Sequence, residues 1–405
     1  MKKTLILAAA CLVASLAQAA PPFTPDQLQL RVRVQPWHDL GTNANSMYNP
    51  RFFDGYIFAS QINWNCFACY PSGSSIIVAG ALTGTNTPTR GPRMMSPFRG
   101  AYRWTYLLGS GGTANVFTRW NWDATNPQDV TFPDGQLTES FDWVDDDTII
   151  CTDYTSGNRK RLYLVDVTAN PFTLTRNTTW NANGYITSAI TTRIRNVRVG
   201  KGAGFSNYAY YGDNGVSVNP NVYALNLTTG VETLLGHWNG NLKAGIAGGA
   251  ESDSWGLWTV VECGGYLYLQ SSDDGVQIYS MTDPTTMGAL YTSYSPQDML
   301  LATVAPRPAL YGFDVAQNNE GLLLGSSSGG VYELGPPTLT AAKSGTDIIL
   351  SWPASVTAVT VQSSSSLSPS SFGPIYPTIT VDGERNTATI TPGSGSEFFR
   401  LTRNW

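Results

Sequence analysis

The side chains equipped for chemistry are few in this 405-residue chain, and they are scattered. There are two histidines, His38 in Trp37-His38-Asp39 and His237 in Gly236-His237-Trp238. An imidazole beside a carboxylate can act as a general base. Neither histidine has a G-x-S-x-G nucleophile turn to serve, and they lie 199 positions apart, so both read as structural or surface residues. Glycoside cleavage would need two carboxylates facing each other across a bond. Asp142, Glu251, Asp253, Glu262, Asp298 and Asp314 are the acids it could draw on, but no spacing selects a pair, and no catalytic residue is assigned. Asp145-Asp146-Asp147 offers the oxygen ligands a hard cation wants; it also fits a turn between two strands, and the turn is the expectation. Asp213-Asn214-Gly215 and Asp273-Asp274-Gly275 read as turns by the same reasoning. No metal and no cofactor is expected.

Aromatic and basic runs are the other candidates. Trp120 and Trp122, or Trp255 and Trp258, could offer sugar-stacking platforms, although packing between sheets explains them more simply. Arg193-Ile194-Arg195-Asn196-Val197-Arg198 reads as a solvated strand, with an anion-contacting patch as the alternative. Charged residues make up only 13% of the chain and the formal charge is −5. Without clustered Lys/Arg to neutralise phosphates, a nucleic-acid partner is not expected.

The N-terminus carries an export pattern. Lys2 and Lys3 precede an apolar run from Leu5 to Leu16, and Ala17-Gln18-Ala19 is a small-x-small cleavage site, which makes residues 1–19 a signal peptide. The run is too short to span a bilayer, and no later run of about 18 apolar residues predicts a transmembrane span. The expected location is secreted, periplasmic or cell-surface. Outside the cytoplasm, Cys66-Phe67-Ala68-Cys69 is most simply a local disulfide between Cys66 and Cys69; two free thiols or a zinc pair are the alternatives. Cys151, in an Ile-rich run, reads as a small buried hydrophobe.

The elements that must position these residues repeat along the chain. A tyrosine-centred strand recurs as Leu162-Tyr163-Leu164-Val165, Val222-Tyr223-Ala224-Leu225, Ile278-Tyr279-Ser280-Met281 and Val331-Tyr332-Glu333-Leu334, with the tyrosines 60, 56 and 53 residues apart. Apolar runs precede most copies across polar Gly- and Asp-containing turns, the mark of a hairpin. Further aromatic strands come earlier, at Phe141–Val144, Leu257–Val261 and Leu310–Val315. Weaker copies sit upstream, at Tyr56–Phe58 with Ile76–Val78 and at Trp104–Leu108 with Asn115–Trp120. Four antiparallel strands per ~50–60 residues, without helices between them, make a flat unit that buries little alone. Copies must stack around an axis, so residues 20–336 are expected to form an all-β propeller of six or seven blades. Leu28–Val34 alternates with period two and could close the ring by pairing with the last blade, which would otherwise leave an exposed edge.

Asn221 through Gly230 (Asn-Val-Tyr-Ala-Leu-Asn-Leu-Thr-Thr-Gly) resembles the third-strand-and-turn signature of bacterial quinoprotein-like and YVTN-like propellers. That resemblance implies the fold and brings no quinone site. Ser271-Ser272-Asp273-Asp274-Gly275 is similar to the opening of a sialidase-type Asp-box but lacks its closing Thr-Trp, so no sialidase activity is expected.

Gly335-Pro336-Pro337 ends the repeats, since two prolines cannot continue a ladder. Residues 337–405 then give short alternating strands. Leu350-Ser351-Trp352-Pro353-Ala354, Val361 through Pro369 and Phe398-Phe399-Arg400-Leu401 resemble a C-terminal module common on secreted proteins of environmental bacteria, with Phe372 where Trp is usual. The resemblance implies a small immunoglobulin- or fibronectin-III-like sandwich with Trp352 in its core. Repeats without a catalytic constellation predict a non-catalytic binding or surface protein whose partner is a polysaccharide or a cell-envelope protein. The alternative is a carbohydrate-active hydrolase or lyase built on the same ring. The sequence names neither a binding site nor an oligomeric state.

Overall fold

The computed structural model describes residues 21–23, 25, 28–34, 47–53, 56–61, 66–71, 78–81, 92–99, 102–108, 115–121, 126, 128–155, 157–242, 256–271, 274–295, 298, 310–316, 321–326, 331–335, 339–353, 359–366, 371–382, 385–393 and 397–403. The signal-peptide reading of residues 1–19 falls outside them, as do His38, Trp122, Glu251, Asp253, Trp255 and Asp273.

Among the described residues, six antiparallel units built on four strand positions follow one another along the chain. Blade 1 comprises Met47–Phe53, Tyr56–Gln61, Cys66–Pro71 and Val78–Ala81. Blade 2 comprises Pro92–Arg99, Tyr102–Leu108, Asn115–Asn121 and Gln128–Thr131. Blade 3 comprises Thr138–Trp143, Thr148–Asp153, Arg161–Ala169 and Phe172–Arg176, with Tyr185–Thr187 also on its third strand. In blade 4, Arg193–Ile194 and Arg198–Val199 share the first position, before Tyr208–Asn214, Asn221–Asn226 and Glu232–His237. Blade 5 comprises Leu257–Cys263, Tyr266–Ser271, Gly275–Asp283 and Thr286–Tyr294. Blade 6 takes Leu310–Val315, Leu322–Ser326 and Val331–Gly335 from one end of the repeats, and its fourth strand, Gln29–Val34, from the other.

That last pairing closes a circle. Leu30 lies opposite Leu334 and Val34 opposite Val331, so the edge that blade 6 would expose is covered by the start of the chain. The first strands complete the circle, because blade 1 packs against blades 2 and 6, and blades 3, 4 and 5 each pack against their sequence neighbours. The described repeats therefore form a β-propeller, with six blade units among the described residues.

Each blade is thin, and its apolar faces are buried only by its neighbours. Phe117 of blade 2 meets Phe141 of blade 3 edge-on at 5.1 Å between ring centres. Ile150 and Leu164 of blade 3 pack with Val199, Ala209 and Tyr211 of blade 4. Tyr210 and Ala224 of blade 4 pack with Leu257, Val260 and Leu267 of blade 5. Val261 and Tyr268 of blade 5 pack with Phe313 and Leu324 of blade 6. Full burial of each large apolar side chain contributes roughly 1.5–3 kcal/mol, so stacking outweighs what any isolated sheet could supply.

The recurring tyrosines occupy one place in this scheme. Tyr163, Tyr223, Tyr279 and Tyr332 all lie on third strands, opposite Cys151, Tyr211, Leu267 and Leu324 of the second strands. Two readings need correction. Asp213 and Asn214 are not turn residues; they end a strand and are fully buried, because the Asp213 carboxylate accepts the backbone N–H groups of Thr191 (2.8 Å) and Thr192 (3.1 Å). The 193–198 run is not solvated, since Arg193, Arg195 and Arg198 are all buried. Asp145–Asp147, by contrast, forms an exposed turn between two strands, with Asp147 N–H donating to the Asp145 carboxylate at 2.9 Å.

The remaining described residues, 339–403, form two sheets. One has the order Thr340–Ser344, Asp347–Pro353, Arg385–Ile390, Ile379–Asp382; the other has the order Gly373–Ile375, Val359–Ser364, Phe398–Arg403. Leu350, Trp352, Val361 and Ala388 are buried between them, with Phe399 and Leu401 packed against this core.

Candidate functional site

The penultimate residue of the first strand is ionisable in four consecutive blades: Asp142, Arg198, Glu262 and Asp314. Flanking residues on these strands, such as Phe141, Val199, Val261 and Phe313, belong to the interblade cores. In blades 1, 2, 3, 5 and 6 the pairing of first and second strands slips by a bulge just before or within this region. A bulge inserts an unpaired residue and re-aims side chains, which gives the inner strands a polar stretch inside an otherwise apolar sheet.

The acids are joined to partners across the ring. Arg51 of blade 1 donates to Asp142 of blade 3 at 2.6 Å, and its other terminal nitrogen donates to the Phe141 carbonyl. Asp142 also accepts the N–H groups of Trp143 and of Val199 in blade 4, both at 2.9 Å. Lys201, just beyond the first strand of blade 4, donates to Asp314 of blade 6 at 2.6 Å and to the Val315 carbonyl at 2.6 Å. The second Asp314 oxygen accepts the N–H of Phe52 in blade 1 at 2.8 Å. Two of these links skip a blade, from 1 to 3 and from 4 to 6, which only groups meeting near the axis can do. Glu262 of blade 5 accepts N–H groups from Gly202 and Gly265, each at 2.9 Å. Burial is the largest influence on its carboxyl and raises it above the usual carboxylate range, while those two N–H groups oppose the rise.

A second polar tier joins blades 3, 4 and 5. Glu139 and Arg195 form an ion pair of 3.0 Å in which both side chains are only 4% exposed, and the Arg195 guanidinium lies 4.2 Å from the Trp258 ring centre. Ser140 donates to Asn196 at 2.8 Å, and Asn196 reaches Thr259 at 3.2 Å. Gly202 is required beside this network, because a Cβ there would stand 2.6 Å from Glu262 Oε1.

Of the acids named from sequence, Asp142, Glu262 and Asp314 are thus brought to one level of the ring. Asp298 is apart from them, accepting the N–H and hydroxyl of Ser295, both at 2.7 Å. His237 sits on the outermost strand of blade 4, its Nδ1 2.9 Å from the Trp238 carbonyl. Trp258 is buried under Arg195 and offers no open platform. The partners Arg51, Lys201 and Glu139 carry no local signal that sequence reading could use. Among the described residues, no group of three or more His, Cys, Asp or Glu side chains is placed to hold a metal.

Cys66 and Cys69 both lie on Cys66–Pro71, whose ladder with Tyr56–Gln61 is unbroken. Strand Cα atoms three residues apart stand about 10 Å from each other, while a disulfide needs about 4.4–6.8 Å. A bridge there requires this ladder to yield.

No family model and no curated protein matches the chain. Among solved structures, the chain is similar to the Neurospora crassa Pan2 WD40 domain at 10% identity and a TM-score of 0.46, over 78% of this chain and 98% of that one. It is similar to the WD40 β-propeller domain of Doa1 at 9% identity and a TM-score of 0.41, over 76% and 97% respectively. The fold assignment rests on the chain's own strand pairing and ring closure.

Proposed function

We propose that this chain is an exported, non-catalytic binding propeller that serves outside the cytoplasm as a surface or envelope-associated recognition protein for a polysaccharide or another envelope protein. The observation that carries the non-catalytic reading is the commitment of the inner acids. Asp142 and Asp314 are each held by a cation and a backbone N–H, Glu139 by Arg195, and Glu262 by two N–H groups. A carboxylate engaged in this way holds blades together and is poorly placed to exchange a proton with substrate.

The outer surface suits recognition better. Leu234 and Leu290 lie opposite the repeated Tyr223 and Tyr279, at matching places on the outermost strands of blades 4 and 5, and both are exposed, as are Val218, Val231 and Tyr291. The Lys2-to-Ala19 pattern supports export. The 339–403 unit supports an immunoglobulin-like accessory module, because its two antiparallel sheets enclose a core centred on Leu350, Trp352 and Val361.

The test takes the full chain through a glycan array and a pull-down of envelope proteins, with a parallel incubation on diverse polysaccharides followed by a reducing-end assay. Stable binding without product is the expected result. Product above a heat-inactivated control overturns the proposal in favour of the hydrolase or lyase.

A further inference from the structure

Among the described residues, Arg198 differs from Asp142, Glu262 and Asp314, the charged groups at the equivalent positions. The residue is 1% exposed, and among the described residues none accepts a hydrogen bond from its Nε, Nη1 or Nη2. A buried guanidinium left unpaired costs several kcal/mol. The carboxylates at the equivalent positions of blades 3, 5 and 6 accept instead from Arg51, Lys201 and the N–H groups described above. Alternation along the strand fixes which face it occupies. Val197 and Val199 pack in the core between blades 3 and 4, so Arg198 takes the opposite face, shared with its cross-strand partner Tyr210. Tyr210 packs there with Leu257 and Val260, between blades 4 and 5.

We propose that Arg198 is the anchor of an internal anion site that takes a small monovalent inorganic anion of chloride size. Three features select that class. The charge calls for an anion, because a neutral water would leave the guanidinium uncompensated. The near-complete burial of the residue restricts the occupant to about one or a few atoms. A divalent anion would overcompensate the single guanidinium charge and leave a net negative charge in a buried site. The five N–H donors of the guanidinium suit a spherical acceptor as well as an oxyanion. The bound ion would supply a counter-charge directly at Arg198, making the propeller's stability anion-dependent.

The experiment measures the thermal midpoint of the full chain in sodium chloride, sodium bromide and sodium gluconate at equal ionic strength. Gluconate has the same charge but is too large to be enclosed. Chloride and bromide are expected to raise Tm saturably, by about 3–5 °C relative to gluconate, and Arg198→Met is expected to abolish the difference. Equal midpoints in all three salts, or a halide effect that survives Arg198→Met, would overturn the site. Should Arg198→Met fail to fold, crystals of the unaltered protein grown in bromide decide the matter. An anomalous peak within about 3.5 Å of the guanidinium supports the proposal, and its absence there ends it.

Discussion

Removing the Asp142 carboxylate should weaken the whole ring, because that group ties together three blades. Asp142→Ala deletes the acceptor of the 2.6 Å bond from Arg51 and of the N–H groups of Val199 and Trp143. The Arg51 side chain, 6% exposed, would then keep its bond to the Phe141 carbonyl but lose its counter-charge. Breaking a buried pair from one side costs about 3–5 kcal/mol. The lower end applies, since the Asp142 side chain retains 16% of its exposure. For a cooperative unit of about 300 residues, unfolding entropy near 2.1 cal/mol/K per residue converts 3 kcal/mol into a fall of about 5 °C in Tm. Differential scanning calorimetry of Arg51→Met, of Asp142→Leu and of the two combined completes a double-mutant cycle. The pair of apolar replacements should recover most of the loss, because no unpaired charge remains. A shift below about 1 °C for Asp142→Ala, or a double variant no better than the worse single one, would refute the role given to this ion pair. Loss of polysaccharide cleavage at unchanged Tm would go further and make Asp142 a catalytic group.

Other consequences follow from buried groups and close approaches. Burial pushes the Cys151 thiol up to about 12, and Cys263 is buried as well. Neither should react with a thiol reagent at pH 8 until the chain is denatured, when the ladder at Cys66–Pro71 predicts that Cys66 and Cys69 label too. The raised Cys151 value also carries a sign. The unfolded thiol ionises near 8.5 and the folded one does not, so Cys151 contributes a loss of stability as pH rises from about 8.5 towards 12. Cys151→Val should therefore reduce the alkaline slope of the unfolding free energy by about 1.4 kcal/mol per pH unit, measured by urea titration at pH 9 to 11. Gly256→Ala should cost about 2 kcal/mol or more in the same titration, since φ is +98° and a Cβ would stand 2.5 Å from the Asp213 carbonyl oxygen.

The parts of this molecule readable from sequence are those with short-range periodicity. The tyrosine strands recur at 53–60 residues because each blade repeats one hairpin scheme, and all four fall at one register position. The alternation of Leu28–Val34 marks a strand needing an edge, and Gln29–Val34 takes the edge of blade 6. The axial network has no such signal. Arg51 and Asp142 are 91 positions apart, and Phe52 and Asp314 are 262 apart, so only closure of the ring makes them neighbours. Arg193 to Arg198 mislead for a related reason. Closely spaced arginines usually face water, and here burial of Arg193 and Arg195 is tolerated because Glu139 and Trp258 arrive from adjacent blades and Asn214 from within the same one. Asp213 reads as a turn residue because Asp-Asn-Gly is turn chemistry, whereas its carboxylate serves the backbone of residues 191 and 192.

Everything said of the axis depends on the first strand meeting the last blade. Val34 and Val331 are cross-strand partners, a spacing of about 4.5–5.5 Å that a disulfide can bridge. The double variant Val34→Cys with Val331→Cys, oxidised, digested and read by peptide mass, should yield an intramolecular link between the two introduced thiols in a monomeric protein. Free thiols at both positions, or links only between separate chains, would mean that the circle is open and that the inner charges do not face one another.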